Sequence, residues 1–71
     1  MNITQEELTE ILRLHKLWLE DNPDGVRAEL VGADLSGADL RKADLRMADL
    51  WMADLTGAVF YNGWKLVKNR D

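Results

Sequence analysis

Side chains able to act as a nucleophile or a base are few in this chain. It has one histidine, His15, and no cysteine. Its hydroxyls, Thr4, Thr9, Ser36, Thr56 and Tyr61, have no base beside them in the sequence. Acyl or phosphoryl transfer needs a nucleophile, a base and an orienting group that converge, and a metal site needs several ligands that do the same. His15 sits among apolar residues at helical spacing. That context suits a packed histidine in a capping layer better than a general base or a metal ligand. Gly32, Gly37 and Gly57 are separated by multiples of five residues, which suits recurring backbone corners and not a phosphate-cradling loop. The sequence reads as that of a non-enzyme, with no catalytic residue, metal or cofactor.

The residues that do recur are acids. Glu29, Asp34, Asp39, Asp44, Asp49 and Asp54 return at every fifth position, each between an Ala and a Leu. Residues 28–62 divide into AELVG, ADLSG, ADLRK, ADLRM, ADLWM, ADLTG and AVFYN. A helix would scatter these leucines, since each step of five residues turns by about 140° beyond a full circle. A flat strand fails as well, because an odd step sends alternate leucines to opposite faces. The chain must instead turn a corner every five residues, with each Leu inward on a new side.

The A-D-L-x-x units resemble the pentapeptide-repeat family, whose pattern is A(D/N)LXX, and they cover about half of the chain in tandem. The resemblance implies an all-β solenoid, a right-handed quadrilateral β-helix with four pentapeptides per coil, Ala and Leu inward and the other positions outward. The repeats would make less than two coils. At an inter-strand spacing of about 4.8 Å the shaft would rise by only about 8 Å. Positions 20 apart would then stack, with Leu30 on Leu50, Leu35 on Leu55, Leu40 on Phe60, Val31 under Trp51 and Gly32 under Met52.

So short a shaft needs caps, because solenoid ends expose core and unpaired edges. The N-terminal segment supplies one, an α-helical cap read from Thr4 to Glu20. Thr4 and Glu7 form a capping box, and Ile3 and Leu8 occupy the staple positions. Leu8, Ile11, Leu12, His15, Trp18 and Leu19 form one stripe that should face the first coil, with Leu17 opposite. The run Asp21-Asn22-Pro23-Asp24-Gly25 should stop the helix and reverse the chain. The organisation expected is one domain: capping helix and turn over 1–27, seven repeats over 28–62, and a C-terminal cap over 63–71 in which Trp64 and Leu66 cover the last coil. A second copy of the chain could cover that end instead, so monomer and homodimer both stay open. Tyr61 should stack over Arg41.

The chain has 71 residues and a formal net charge of −4. Residues 1–27 and 28–62 each hold six acids against three bases, and 63–71 hold three bases against one acid. That balance disfavours direct binding to nucleic acid and favours a basic partner. No apolar run approaches the length of a membrane span, and the polar N-terminus is unlike a secretory signal, so the expected location is the cytoplasm.

Two binding surfaces emerge. In one, Asp34, Asp39, Asp44, Asp49 and Asp54 imitate duplex phosphates and meet the DNA-binding groove of another protein, with Met47, Trp51 and Met52 adding apolar contact. Quinolone-protective members of the family act on gyrase in that manner. The shaft here would replace only two or three base pairs at about 3.4 Å each. A short recognition site, such as the few pairs read by a CRISPR effector, is therefore the favoured target, making the chain an anti-CRISPR-type inhibitor. In the other, the chain is an interaction module, or a topoisomerase modulator of the gyrase type, that binds through the Met47/Trp51/Met52 patch while the acids serve only turns and solubility.

Overall fold

The computed structural model describes residues 2–60. The expected C-terminal cap and the Tyr61–Arg41 contact lie outside them. Helix α1 spans Gln5–Leu19. Its start is the capping box read from the sequence: the Glu7 N–H donates to Thr4 Oγ1 at 3.0 Å, and the Thr4 N–H donates to Glu7 Oε1 at 2.9 Å. Two of the orphan donors at a helix N-terminus are satisfied in this way.

The helix ends slightly earlier, and by a different device, than its sequence suggests. Asp21 takes a left-handed conformation, φ 60°. The Asn22 N–H donates to Leu17 O and the Asp21 N–H to Trp18 O, at 3.0 and 3.1 Å. This is a Schellman closure with Asp in the place usually held by Gly. The expected turn follows, with the Gly25 N–H on Asn22 O at 2.9 Å. Gly25 then passes so close to the last helical turn that a Cβ there would lie 2.1 Å from the Trp18 backbone nitrogen. Only glycine fits, and the Val26 N–H bonds back to Leu14 O at 3.0 Å.

From Ala28 onward a corner recurs every five residues. The N–H groups of Ala33, Ala38, Ala43, Ala48, Ala53 and Ala58 donate to the carbonyls of Leu30, Leu35, Leu40, Leu45, Leu50 and Leu55, all at 3.0 to 3.1 Å. Between corners, each unit bonds in parallel to the unit four further on. The Leu30 N–H donates to Asp49 O and the Leu35 N–H to Asp54 O, both at 2.8 Å, and the N–H groups of Asp49, Asp54 and Val59 donate to Ala28, Ala33 and Ala38 O at 2.9 to 3.0 Å. The register is therefore 20 residues, as the stacking of like positions requires.

Regular strand is much scarcer than an all-β description suggests. Among the described residues it consists of β1, Asp39–Leu40, paired in parallel with β2, Val59–Phe60, and elsewhere of isolated bridges, Asn2 with Asp34, Glu29 with Asp49 and Asp34 with Asp54. The cause is the corner spacing, which leaves about three extended residues between turns.

Leu8, Ala28, Leu30, Ala33, Leu35, Leu40 and Phe60 form the buried core. Ile3, Ile11, Leu12, Leu45, Leu50 and Leu55 pack around it. All the repeat leucines thus face inward, Leu45 included.

The N-terminal segment caps the repeats through polar bonds as well as packing. Units at 33–47 have no earlier unit beneath them to pair with. Asn2 makes a parallel bridge to Asp34, and Gln5 Oε1 accepts the Asp39 N–H at 3.3 Å. His15 is fully buried. Its Nδ1 accepts the Ala28 N–H at 3.0 Å, and its Nε2 lies 2.7 Å from Arg46 O. With Nδ1 accepting, the ring carries its proton on Nε2 and donates to that carbonyl. Arg27 completes the edge, its Nε donating to Met47 O at 2.6 Å.

Candidate functional site

The aspartates are turn residues first. In each A-D-L-x-x unit the Asp Oδ1 accepts the backbone N–H two residues on: Asp34 from Ser36, Asp39 from Arg41, Asp44 from Arg46, Asp49 from Trp51 and Asp54 from Thr56, at 3.0 to 3.2 Å. A short carboxylate is well suited to this bond, which explains the acid in each unit without reference to a partner.

What the second partner of each carboxylate is divides the array. Asp34 and Asp54 also accept the hydroxyls of Ser36 and Thr56, at 2.6 and 2.7 Å. Those hydroxyl bonds, then the backbone bonds, hold both carboxyls below the usual range. Asp39 and Asp44 pair with Arg41 and Arg46 of their own units, each through two guanidinium nitrogens, the shortest contacts being 2.9 and 2.7 Å. The Arg41 guanidinium bond, with the backbone bond second, draws Asp39 down to about 2; Arg46 lowers Asp44 in the same direction. Asp49 has only its turn bond, and neither it nor Glu29 has an ion pair among the described residues. Residue by residue, among the described residues the acids are neutralised by arginine on two units, bonded to hydroxyls without a counter-charge at Asp34 and Asp54, and left with the fewest partners on the side built from 28–32 and 48–52.

That side is also the apolar one. Its backbone corners are left-handed, as at the other corners that carry glycine: φ is 68° at Gly32, 70° at Gly37 and 74° at Gly57, and 65° and 63° at Met47 and Met52. Non-glycine residues avoid this region because Cβ crowds the following carbonyl, at about 1 kcal/mol or more. Met47 and Met52 are nonetheless 67% and 74% exposed, so little burial offsets the strain. Trp51 is 70% exposed and Val31 46%. The Gly32 N–H bonds to Trp51 O at 2.8 Å, which places Val31 and Gly32 beneath Trp51 and Met52 as expected. Asp49 stands between Met47 and Trp51 in the chain, and Glu29 is bridged to it from the unit beneath. Asp44 belongs to the preceding unit and is occupied by Arg46.

A second concavity, of about 530 Å³, runs between α1 and the units at 38–47, with Gln5, Leu12, Lys16, Lys42, Asp39 and Asp44 on its walls. Asp39 and Asp44 there are paired with Arg41 and Arg46, while Lys16 and Lys42 have no ion pair among the described residues. Among the described residues no set of His, Cys, Asp and Glu side chains is placed to hold a metal ion, and no helix is long and apolar enough to cross a membrane.

A chain that turns every five residues, pairs with itself 20 residues on and is sealed at one end by a helix is a β-helix-type repeat protein. The pentapeptide repeats family model matches residues 26–62 in eight copies, and the chain belongs to that family. The match begins two residues before the seven fives counted from Ala28. No curated protein and no solved structure matches the chain.

Proposed function

We propose that the protein is a non-enzymatic interaction module, built as a short right-handed quadrilateral β-helix of under two coils, that binds another protein through the face carrying Val31, Met47, Trp51 and Met52. One observation carries the reading: two methionines occupy strained left-handed corners where glycine serves elsewhere, and both project into solvent beside an exposed tryptophan. Folding gains little from them there. Flexible thioethers around an aromatic anchor are the usual makings of a protein contact. Membership in a family of interaction modules agrees with this.

The second reading is the acidic array as a duplex imitation that blocks a DNA-binding protein, a CRISPR effector being the favoured target. Stacking of Glu29 with Asp49 and Asp34 with Asp54 supports it. Arg41 and Arg46 weigh against it, because duplex phosphates carry no built-in counterions of this kind.

Affinity capture from a bacterial lysate separates the two. Under the module reading, retained proteins are lost with Trp51→Ala, survive raised salt and ignore competing duplex DNA. Under the array reading they are released by salt and by duplex, and Trp51→Ala weakens capture without abolishing it.

A further inference from the structure

We infer that the face between the Met47 and Trp51 corners accepts an arginine side chain from an otherwise apolar segment of the partner protein, held by Glu29 and Asp49. The inference rests on the module reading of this face and adds the chemistry of what docks there.

Charge complementarity carries it. Two pairs of acids are stacked across the 20-residue register among the described residues, Asp34 with Asp54 and Glu29 beneath Asp49, and each is bridged backbone to backbone. Strand spacing puts such backbones about 4.8 Å apart, so two carboxylates project side by side. On neighbouring sides Asp39 and Asp44 are neutralised by Arg41 and Arg46, while Asp34 and Asp54 each give one oxygen to Ser36 or Thr56 and, like Glu29 and Asp49, have no ion pair among the described residues; what sets Glu29 and Asp49 apart is the exposed Met47, Trp51 and Met52 beside them. Glu29 has no partner among the described residues, and Asp49 has one oxygen on the Trp51 N–H. Arg27, whose Nε donates to Met47 O, makes no ion pair with either among the described residues, so the two adjacent negative charges repel each other and a cation placed between them relieves this.

Apolar residues on both flanks then select the kind of cation. Met47 and Trp51 are each two residues from Asp49, within about 7 Å along the backbone. A guanidinium is planar, offers donors to two carboxylates at once, is weakly hydrated and lies well against an indole. A lysine ammonium is a more strongly hydrated point charge and answers to fewer of these features. The neighbours of that arginine in the partner should be apolar, to cover Val31, Met47 and Met52.

Selection of random-sequence peptides on the immobilised full chain tests this, with affinities measured against wild type, the Glu29→Gln/Asp49→Asn double variant and Trp51→Ala. Gln and Asn keep shape and the turn bond to Trp51, and unchanged thermal unfolding checks that these variants are folded. The expected result is enrichment of peptides with Arg flanked by apolar residues, whose binding falls about tenfold or more on the neutral double variant, comparable to replacing that Arg in the peptide. Peptides that need Trp51 but carry no basic residue, or that bind the double variant equally well, overturn the inference and leave the module reading standing. Enrichment of Lys in place of Arg overturns the guanidinium assignment. If no selected peptide depends on Trp51, both readings fall.

Discussion

Methionine at a left-handed corner sets stability against binding within one residue. Replacing Met47 or Met52 by Gly removes the Cβ clash but loosens the unfolded chain, and the balance at φ near 65° favours glycine. Each change is expected to raise stability by about 0.5 to 1 kcal/mol in chemical denaturation while weakening capture of the partner. His15 is the reverse case, a residue whose whole value is structural. His15→Phe keeps a ring against Trp18, whose centroid is 5.6 Å away, but strands the Ala28 N–H and the Arg46 carbonyl. A loss of about 2 to 5 kcal/mol is expected, most of the stability of so small a chain, read as a lower denaturation midpoint. The acids act through pH. Asp39 is held at about 2 in the folded chain against 3.8 ordinarily. A lowered carboxyl stabilises above its unfolded value, so this contribution is present above pH 3.8 and is lost as pH falls toward 2. Urea titrations across that window should show stability declining with acid, and Asp39→Asn should flatten that part of the slope. Asp39 is exposed and salt-screened, so the effect should also shrink at high ionic strength.

At the scale of elements, what the sequence discloses depends on how local the cause is. The capping box of α1 is readable because Thr4 and Glu7 meet within one turn. The five-residue corners are readable because their alanines and leucines repeat. The Schellman end at Asp21 is not, since Asp enters the left-handed region more readily than most residues but far less often than Gly, and Pro23 and Gly25 draw attention downstream. His15 can be placed in the buried stripe from spacing alone. Its two bonds join it to residues 13 and 31 positions away, and no periodicity reports that. The aspartates show the opposite failing. Read down the column of repeats they look equivalent, yet the residue two places after each, Ser, Arg, Trp or Thr, was in plain view and decides what the carboxylate does. Inward register is testable on the same elements. Leu35→Ala, at a fully buried position, is expected to cost about 2 to 5 kcal/mol, and Leu45→Ala, at a partly buried one, about 1 to 3 kcal/mol. Equal and negligible losses in denaturant midpoints would argue against both assignments.

For the molecule as a whole, the cap and the repeats are expected to unfold as one cooperative unit. Asn2, Gln5 and His15 satisfy backbone groups that no pentapeptide reaches, and Leu8 completes the core. Deleting residues 1–22 removes all of these together, and the remaining chain is expected to show no cooperative thermal transition by circular dichroism. A sharp transition in that truncated chain would show that the repeats stand unaided.

The 20-residue register has a further consequence, for how such a chain tolerates changes of length. Inserting one pentapeptide before Ala48 would preserve every local turn, yet it would move Trp51 and Met52 to the next side, away from Val31 and Glu29. Inserting four would restore the original side one storey higher, about 4.8 Å further from the helix. Length here behaves as an angular coordinate. Five residues choose the compass direction of the binding face and twenty choose its height, so neighbours in sequence can be kept while the surface they form is dismantled.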